Sequence, residues 1–481
     1  MKNILFSILI VLPIIGMAQT VNLGPTVVVN SDKTKGYARP RITLDKSEKP
    51  VVMWGRASNK EVYVATFNGP GFLSPLAVTP IGVTAYIQSW TGPSIASSGD
   101  TVFVAFKSQP ESTGFVYVVK SVDGGITFGD TTRVSSENWS RFAEVSVKPG
   151  GDPVVTYMHF DPNFIDPKYV VVTSTNGGAS FSAPVDAAGA SQGEACDCCP
   201  GFVLAEAQRT IVLFRNNDNN LRDIWATVST NGGISFNAGG DIDNNNWMIN
   251  ICPSSGPNAL TNGDTLISVW MSGASGYSRI NVGQVDLNNI GASFNKEITP
   301  GSVSNQDYPQ IAGRGDTLGM VWQEQSAGKM EIKFLKSTTG IKGFSSESPL
   351  TINPPSSSFN SNPDIAFKKG IFHITWQSNT DQTVYYRTVD LVSPIDIEEA
   401  QQPLFAVYPN PSKDVIRLIG QNIEGFSVII TSSTGQLVLE NKLENYENII
   451  DVTRLPEGVY MLEIKSEFQL RKGFTKIVIA R

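Results

Sequence analysis

A sequence pattern that recurs at intervals of roughly 54 residues limits what this chain can fold into. Each copy has a proline, a short alternating strand, a turn with glycine or aspartate, and an apolar strand that ends in an aromatic residue. The copies are residues 40–54, 93–106, 142–157, 200–214, 257–270, 309–322 and 363–376, of which 142–157 lacks the proline. Similar units of this length predict a repeat architecture instead of one compact core.

Each copy continues with a third strand and a glycine-rich turn that ends in phenylalanine. Those phenylalanines are Phe72, Phe128, Phe181, Phe236, Phe294 and Phe344. Four short strands per repeat predict an all-β fold, a β-propeller of about seven four-stranded blades, with six as the alternative. The seventh copy stops at Asp390 without its fourth strand, whereas residues 21–30 form a lone strand. We expect this strand to pair with the last blade and close the ring, which protects two open sheet edges.

The glycine-rich turns carry the motif S-x-D-x-G-x-T-F. Residues 121–128 match it, and residues 174–181 and 229–236 match it with asparagine in place of aspartate. We expect the Asp or Asn to bond backbone N–H groups, the glycines to take positive φ, and the Phe to pack between sheets. This structural role is predicted for Ser121, Asp123, Gly125, Phe128, Asn176, Gly178, Phe181, Asn231, Gly233 and Phe236.

With these turns, residues 19–395 resemble the Asp-box, or BNR-repeat, sialidase-like propellers. The resemblance implies a carbohydrate-related function, although sialidases of the family have six blades and the repeat count here is seven. Sialidase chemistry uses an arginine cluster for the substrate carboxylate, a Tyr nucleophile activated by Glu, and an Asp acid.

The N-terminus is typical of a secretory signal peptide. Lys2 precedes an apolar run over residues 4–15, and small residues follow at Gly16 and Ala18. We therefore predict that residues 1–18 are a signal peptide, cleaved before Gln19. The apolar run is too short to span about 30 Å of hydrocarbon, and no later segment is apolar enough, so we expect no transmembrane segment.

A second export signal is expected at the C-terminus. After a polar linker, residues 396–404, the segment 405–481 contains YPNP at 408–411, STGQ at 433–436 and LPEGVY at 455–460, among alternating strands. These motifs resemble the type A sorting domain of the type IX secretion system. The resemblance implies a small β-sandwich that engages this machinery in a Bacteroidota-type cell, and a secreted or outer-surface protein.

The charge balance excludes one class of partner. The net charge is -7 and the isoelectric point is about 5.1, so the chain lacks the basic excess that nucleic-acid binding requires. Anionic membrane surfaces are disfavoured for the same reason. The sequence also contains no phosphate-binding loop and no dinucleotide fingerprint.

Four cysteines are concentrated in loops that enter the fourth and fifth repeats. Cys196, Cys198 and Cys199 precede Pro200, and Cys252 lies in the neighbouring repeat, so all four can converge. In an exported protein they are expected to form disulfides, with the pairing open. The alternatives are a thiolate site for Cu or Zn, with His159 as a further ligand, and free thiols. Without such a metal we expect no cofactor.

The loops around these cysteines also supply the polar residues that ligand chemistry needs. Guanidinium groups bind carboxylates in a planar, bidentate manner, which makes arginines the first candidates. The catalytic candidates are Arg39, Arg141, Arg215, Arg222 and Asp223; the ligand-binding candidates are Trp247, Arg215, Asn217 and His159.

Three functions therefore remain open. The first is glycan binding without turnover, the second is an exo-sialidase-like glycoside hydrolase that uses the arginines, and the third is a metal-binding protein with cysteine ligands.

Overall fold

The structure, a computed structural model, describes residues 20–58, 60–135, 139–392, 405–420, 423, 425–465 and 472–481. The predicted signal peptide and linker lie outside these residues. The described chain is almost entirely β, with two short 3-10 helices at Lys33–Lys35 and Lys342–Ser345. It divides into two compact units, Val21–Val392 and a C-terminal unit, and each is described by itself.

The strands of the first unit form antiparallel sheets that follow the sequence repeat, here named blades 1 to 7. Blade 1 contains Ala38–Leu44, Pro50–Arg56, Glu61–Thr66 and Leu76–Ala77. Blade 2 contains Ser94–Ser98, Thr101–Lys107, Val116–Ser121 and Thr131–Arg133. Blade 3 contains Ser140–Val147, Pro153–His159, Lys168–Thr173 and Val185–Asp186. Blade 4 contains Phe202–Ala205, Thr210–Asn217, Ile224–Ser229 and Ala238–Asp241, and Glu194–Ala195 pairs with its second strand.

The remaining blades follow the same order. Blade 5 contains Asn258–Asn262, Thr265–Ser272, Arg279–Asp286 and Asn289–Glu297. Blade 6 contains Asn305–Arg314, Thr317–Ser326, Lys329–Ser337 and Leu350–Thr351. Blade 7 contains Asn360–Lys368, Ile371–Ser378 and Thr383–Val392, and its outer edge is completed by Thr20–Leu23 and Val27–Asn30.

The blades form a closed ring. The first strand of each blade contacts the first strand of the next, and that of blade 7 contacts that of blade 1. The first strands therefore surround a central axis, and the prediction of an all-β propeller is confirmed. The closing strand is confirmed as well, because Val27 pairs with Tyr386 and the guanidinium of Arg387 donates to the Gly24 carbonyl at 2.7 Å.

The aromatic residue of each repeat explains why consecutive blades pack together. These residues lie on the second strands, and Trp54, Trp270, Trp322 and Trp376 are completely buried. Trp54, for example, shares a core cluster with Val384 of the preceding blade. Replacing such a residue with alanine typically destabilises a protein by about 3–5 kcal/mol.

The residue after the repeat proline links neighbouring blades near the axis. In three blades its side chain accepts a hydrogen bond from a backbone N–H group on the first strand of the next blade. The pairs are Ser94 with Val145 (3.2 Å), Asn258 with Ile311 (3.0 Å) and Asp364 with Ile42 (2.8 Å). Each bond satisfies a buried backbone N–H group that forms no hydrogen bond within its own sheet.

The glycine-rich turns of blades 2, 3 and 4 have the hydrogen bonds that the motif predicts. One Asp123 oxygen accepts from the N–H groups of Ile126 (3.1 Å) and Thr127 (2.9 Å), and Ser121 Oγ accepts from Gly125 N–H at 2.9 Å. Gly125 has φ 82°, and a Cβ there would lie 2.8 Å from Val51 of blade 1. The turns thus contact the preceding blade, and Asn176 and Asn231 make matching bonds.

The C-terminal unit has two antiparallel sheets around one core. One sheet contains Phe405–Tyr408, Val415–Gly420 and Glu447–Asp451; the other contains Leu437–Lys442, Ser427–Ser432, Gly458–Lys465 and Lys472–Ile479. Side chains from both sheets, among them Leu418 and Leu462, share the core, as in a β-sandwich. Asn410, from the YPNP motif, bonds the backbone of the last strand at Val478 and Lys476.

Candidate functional site

A polar cavity of about 310 Å³ lies inside the ring of first strands. All seven blades contribute to its lining. The charged and polar side chains among the lining residues are Arg39, Arg41, Thr43, Ser97, Glu144, Ser146, Asn258, Tyr308, Gln310 and Asp364. A volume of this size is at the lower end of the range of small-molecule sites, which is about 300–1,000 Å³.

Arg39 is fixed at this cavity by several contacts. Its guanidinium donates to the carbonyl of Ser89 at 3.0 Å and to Asn362 at 2.9 Å, and it lies 5.2 Å from the centre of the Tyr308 ring. Only 4% of Arg39 is exposed, and this burial lowers its pKa to about 10. The group is therefore a buried cation at neutral pH, held beside the cavity by neutral partners.

The cavity also contains two carboxyl groups with altered acidity. Burial raises the pKa of Glu144 to about 7, and the nearby Asp364 raises it further, whereas Arg41 opposes the shift. The small accessible surface of Glu144 lies in the cavity wall. Burial also raises the pKa of Asp364. Near neutral pH the carboxyl group of Glu144 is therefore only partly ionised, so it can both donate and accept hydrogen bonds. The cavity combines this group with fixed guanidinium groups.

Tyr308 lines the cavity beside Arg39, and Asp307 precedes it in the sequence. Burial raises the pKa of Tyr308 to about 12, and the carboxylate of Asp307 acts in the same direction. Burial likewise raises the pKa of Asp307 to about 6. The phenol is thus harder to ionise than a free tyrosine, which is the opposite of what a nucleophile requires.

The arginines predicted as catalytic candidates occupy different places. Arg39 lines the cavity, and Arg141 in blade 3 pairs with Glu111 at 2.5 Å. Arg215 is completely buried, and each of its three guanidinium nitrogens donates to a backbone carbonyl, those of Ser255, Arg222 and Met271.

The other candidates lie around blade 4. Asp223 is buried and accepts from the Trp247 N–H group at 3.0 Å, and the Trp247 ring lies 5.2 Å from the Arg215 guanidinium. Asn217 bonds Glu194 at 3.4 Å. His159 ends the second strand of blade 3. These residues surround the loops that carry the cysteines, and none of them lines the central cavity.

The four cysteines converge as their loops predict. Cys198 and Cys252 form a disulfide with a Cα–Cα distance of 6.0 Å, whereas Cys196 and Cys199 are buried and unbridged. One of the two expected bridges is therefore present. The Sγ atoms of Cys196 and Cys199 are 3.0 Å apart, and Arg222 donates to Cys196 Sγ at 2.9 Å.

The two unbridged sulfurs differ in acidity. The hydrogen bond between Cys196 and Cys199, together with Arg222, lowers the pKa of Cys196 to about 6, whereas burial raises the pKa of Cys199. Cys196, Cys198 and Cys199 have the separations that a metal ion requires, but Cys198 is bridged. The cation beside Cys196 stabilises a thiolate and opposes a metal ion.

Sequence reasoning missed three polar residues that line the cavity, namely Glu144, Gln310 and Asp364. The repeat contained a signal for them, because Gln310 and Asp364 directly follow the repeat proline, and Glu144 occupies the matching position in the copy that lacks it.

A family model, the secretion system C-terminal sorting domain, matches residues 406–480. The protein is exported by the type IX secretion system to the cell surface or the extracellular space. In the described part of the chain, no helix has the length and apolar character needed to cross a membrane. No curated protein is significantly similar in sequence.

Several solved structures resemble the chain with low sequence identity. PorZ, a surface component of the type IX secretion system of Porphyromonas gingivalis, is 12% identical with a TM-score of 0.40; the match covers 93% of this chain and 60% of PorZ. A PL25 ulvan lyase is 9% identical with a TM-score of 0.49, covering 73% and 93%. Trypanosoma rangeli sialidase is 8% identical with a TM-score of 0.43, covering 95% and 89%.

Proposed function

We propose that this exported propeller binds a carbohydrate and that one sugar unit occupies the central cavity. The observation that supports the proposal is the convergence of Arg41, Glu144 and Asp364 in a polar cavity enclosed by the first strands. Sugar hydroxyls both donate and accept hydrogen bonds, and carboxylates, amides and guanidinium groups are suitable partners for them. Fixed partners of this kind lower the entropy lost on binding.

The guanidinium groups add a preference for acidic sugars. Arg39, with a pKa of about 10, remains cationic and Arg41 adds a second guanidinium group, while the carboxyl group of Glu144 is about half protonated at pH 7, where its pKa lies. Even with Asp364 counted as ionised, a sugar carboxylate would therefore meet more positive than negative charge in the cavity. Arginine forms charge-assisted hydrogen bonds with such a group.

Binding without turnover agrees better with the geometry than sialidase-like hydrolysis does. Hydrolysis of that kind needs an activated tyrosine, but the pKa of Tyr308 is raised to about 12. The remaining predicted arginines also do not join Arg39 at the cavity, because Arg215 bonds three backbone carbonyls and Arg141 pairs with Glu111.

Titration calorimetry of the mature protein against neutral and acidic mono- and oligosaccharides tests this proposal. We expect binding that weakens at least about tenfold in Arg41→Ala, which corresponds to losing roughly 1.4 kcal/mol. Arg314→Ala is the matched control, because Arg314 is exposed at the other end of a first strand. Chromatography of the same mixtures reports turnover. Failure of every sugar to bind, or equal affinity in Arg41→Ala, would contradict the proposal.

A second candidate function is thiol chemistry at Cys196, supported by the Arg222 contact at 2.9 Å. The metal-binding alternative uses the same sulfurs. Intact mass, metal analysis and thiol alkylation of the secreted protein separate them. Two alkylated thiols without metal support a thiolate site, and a bound Cu or Zn ion supports the metal. Loss of both thiols to a second disulfide, without metal, would leave the cysteines as structural links.

A further inference from the structure

One turn of the chain brings three of the four cysteines together. In the loop that enters blade 4, the Cys199 N–H group donates to the Cys196 carbonyl at 3.2 Å, which closes the turn. The Cys196 Sγ atom lies 3.0 Å from the sulfur of Cys199 and 3.4 Å from that of Cys198. Cys198 is also bridged to Cys252. An unbridged sulfur therefore lies next to one sulfur of an existing disulfide.

Cys196 has the environment of an attacking sulfur. Thiol–disulfide exchange begins with attack by a thiolate, and a neighbouring cation favours the thiolate form. The guanidinium of Arg222 donates to Cys196 Sγ at 2.9 Å. The hydrogen bond with Cys199 and this arginine lower the pKa of Cys196 to about 6, so the sulfur is mainly ionised at neutral pH. A pKa close to the ambient pH is also near the optimum for attack.

The two ends of the disulfide differ in their access to solvent. Cys198 is only 9% exposed and lies within the turn, whereas Cys252 is exposed. Ile251 and Met248, from the same segment as Cys252, are each 65% exposed, so this end of the bridge lies in an open part of the surface. If Cys198 is attacked, the sulfur that leaves is therefore the one that reaches solvent.

We propose that Cys196, Cys198 and Cys252 form a site for thiol–disulfide exchange with a disulfide outside the protein. In the first step the Cys196 thiolate attacks Cys198 Sγ and forms a bond to it. The bond between Cys198 and Cys252 breaks, and its electron pair leaves with Cys252 Sγ as a thiolate. The Cys196 sulfur is oxidised and the Cys252 sulfur is reduced, so this step requires no outside oxidant.

The second step takes place at the surface. The Cys252 thiolate attacks one sulfur of an outside disulfide and forms a mixed disulfide with it. The other sulfur of that disulfide leaves as a thiolate and takes a proton from water. Cys199 forms no bond in either step, because burial raises its pKa and keeps it a thiol. The proposal rests on the second candidate function, thiol chemistry at Cys196, and is independent of sugar binding in the cavity.

Alkylation of the native, full mature chain with iodoacetamide tests the first step. After acidic digestion, which suppresses further exchange, peptide mapping locates the label. We expect about one label per chain, on Cys252, together with a bridge between Cys196 and Cys198. A native protein without label on Cys252, or with label only on Cys196 and Cys199, would overturn the proposal.

Alkylation of the denatured, unreduced protein, together with metal analysis, separates two kinds of failure. Two thiols per chain, with Cys252 unlabelled in the native protein, would refute the exchange but leave a thiol site at Cys196. A chain without thiols, or with a bound metal ion on its cysteines, would refute the thiol site and the exchange together.

Two serine variants identify the attacking sulfur. Cys196→Ser removes that sulfur and leaves the bridge intact, so labelling of Cys252 should slow at least about tenfold. Cys199→Ser is the matched control, because it changes an equally buried residue of the same turn and keeps a hydroxyl donor beside Cys196. It should retain most of the labelling. Equal labelling of Cys252 in Cys196→Ser and in the wild-type protein would contradict the exchange, and the wild-type peptide map decides if Cys196→Ser does not fold.

Oxidised glutathione, a soluble disulfide, tests the second step. We expect the native wild-type protein to gain the mass of a single glutathione on Cys252, and Cys196→Ser to gain none. Labelling of Cys252 by iodoacetamide without any glutathione adduct would overturn the reaction with outside disulfides.

Discussion

The carboxyl group of Glu144 connects the acidity of the cavity to the stability of the whole propeller. Its pKa is 4.5 in an unfolded chain and about 7 in the folded protein, so the folded state holds the proton more tightly. Ionisation of Glu144 therefore destabilises the fold, and stability from this group is lost as the pH rises from 4.5 through 7.

Glu144→Gln should remove this dependence. We expect the variant to gain up to about 3 kcal/mol relative to wild type at pH 8 and almost nothing at pH 4.5. Urea unfolding at the two pH values measures the difference. Glu440→Gln, at an exposed glutamate, should show no such change. An equal gain at both pH values would contradict the assigned role of burial.

At the scale of single residues, the sequence predicted which side chains lie close together. It predicted less well which bonds those side chains form. The loop positions of the cysteines were sufficient to bring the four sulfurs together. The choice of Cys198 over Cys199 as the partner of Cys252 depends on side-chain direction within one turn, which the order of residues does not specify. Arg215 was predicted as a ligand-binding residue because guanidinium groups bind carboxylates in a bidentate manner, whereas here its guanidinium donates to backbone carbonyls.

The glycine-rich turns act at the scale of the element. In blade 2, both carboxylate oxygens of Asp123 accept hydrogen bonds, from the backbone at Ile126 and Thr127 and from the Thr127 hydroxyl at 2.6 Å. These bonds lower the pKa of Asp123, although burial opposes them. The conformation of the turn therefore depends on the side chain of Asp123.

Asp123→Ala should destabilise the protein by about 1–2 kcal/mol, the usual loss when an aspartate that bonds free backbone N–H groups is removed. Thermal unfolding measures the loss. Asp130→Ala, in the same hairpin but exposed, is the control. Equal stability of the two variants would show that the glycines alone hold the turn.

The strands themselves followed from the repeat, because alternation and the terminal aromatic residue recur in every copy. A detail that did not follow is the irregular start of the first strands. Arg39, Tyr308 and Asn362 each have φ 50°, and the strand register shifts beside each of them. A pattern of apolar and polar side chains reports which face a residue occupies but contains no information about a local left-handed backbone.

At the scale of the whole molecule, the C-terminal unit determines where the propeller functions. Deletion of residues 405–481 should leave the protein inside the cell envelope, since the sorting domain matches residues 406–480. Immunoblots of the culture medium, the cell surface and the periplasm measure the distribution. Full-length Arg314→Ala should be exported normally, and appearance of the truncated protein outside the cell would contradict the prediction.

The overall architecture could be predicted from the sequence because one of its features, the blade, is repeated, and the other, the sorting domain, is contiguous. The repeat indicates blades, and the three C-terminal motifs lie within one short domain. The charged cavity could not be read in the same way, because its residues come from seven strands that are far apart in sequence. No strand contributes more than a few polar side chains, and only closure of the ring brings them together.

The strand that closes the ring also sets the order in which the propeller can fold. Arg387 and Gly24, which bond across the seam, are 363 positions apart in sequence. Contacts between such distant segments form slowly, because most of the chain must be ordered before they are gained. Blades 1 to 6 can assemble as the chain is made, whereas blade 7 must wait for Thr383–Val392. The N-terminal strand is therefore synthesised first and reaches its native position last.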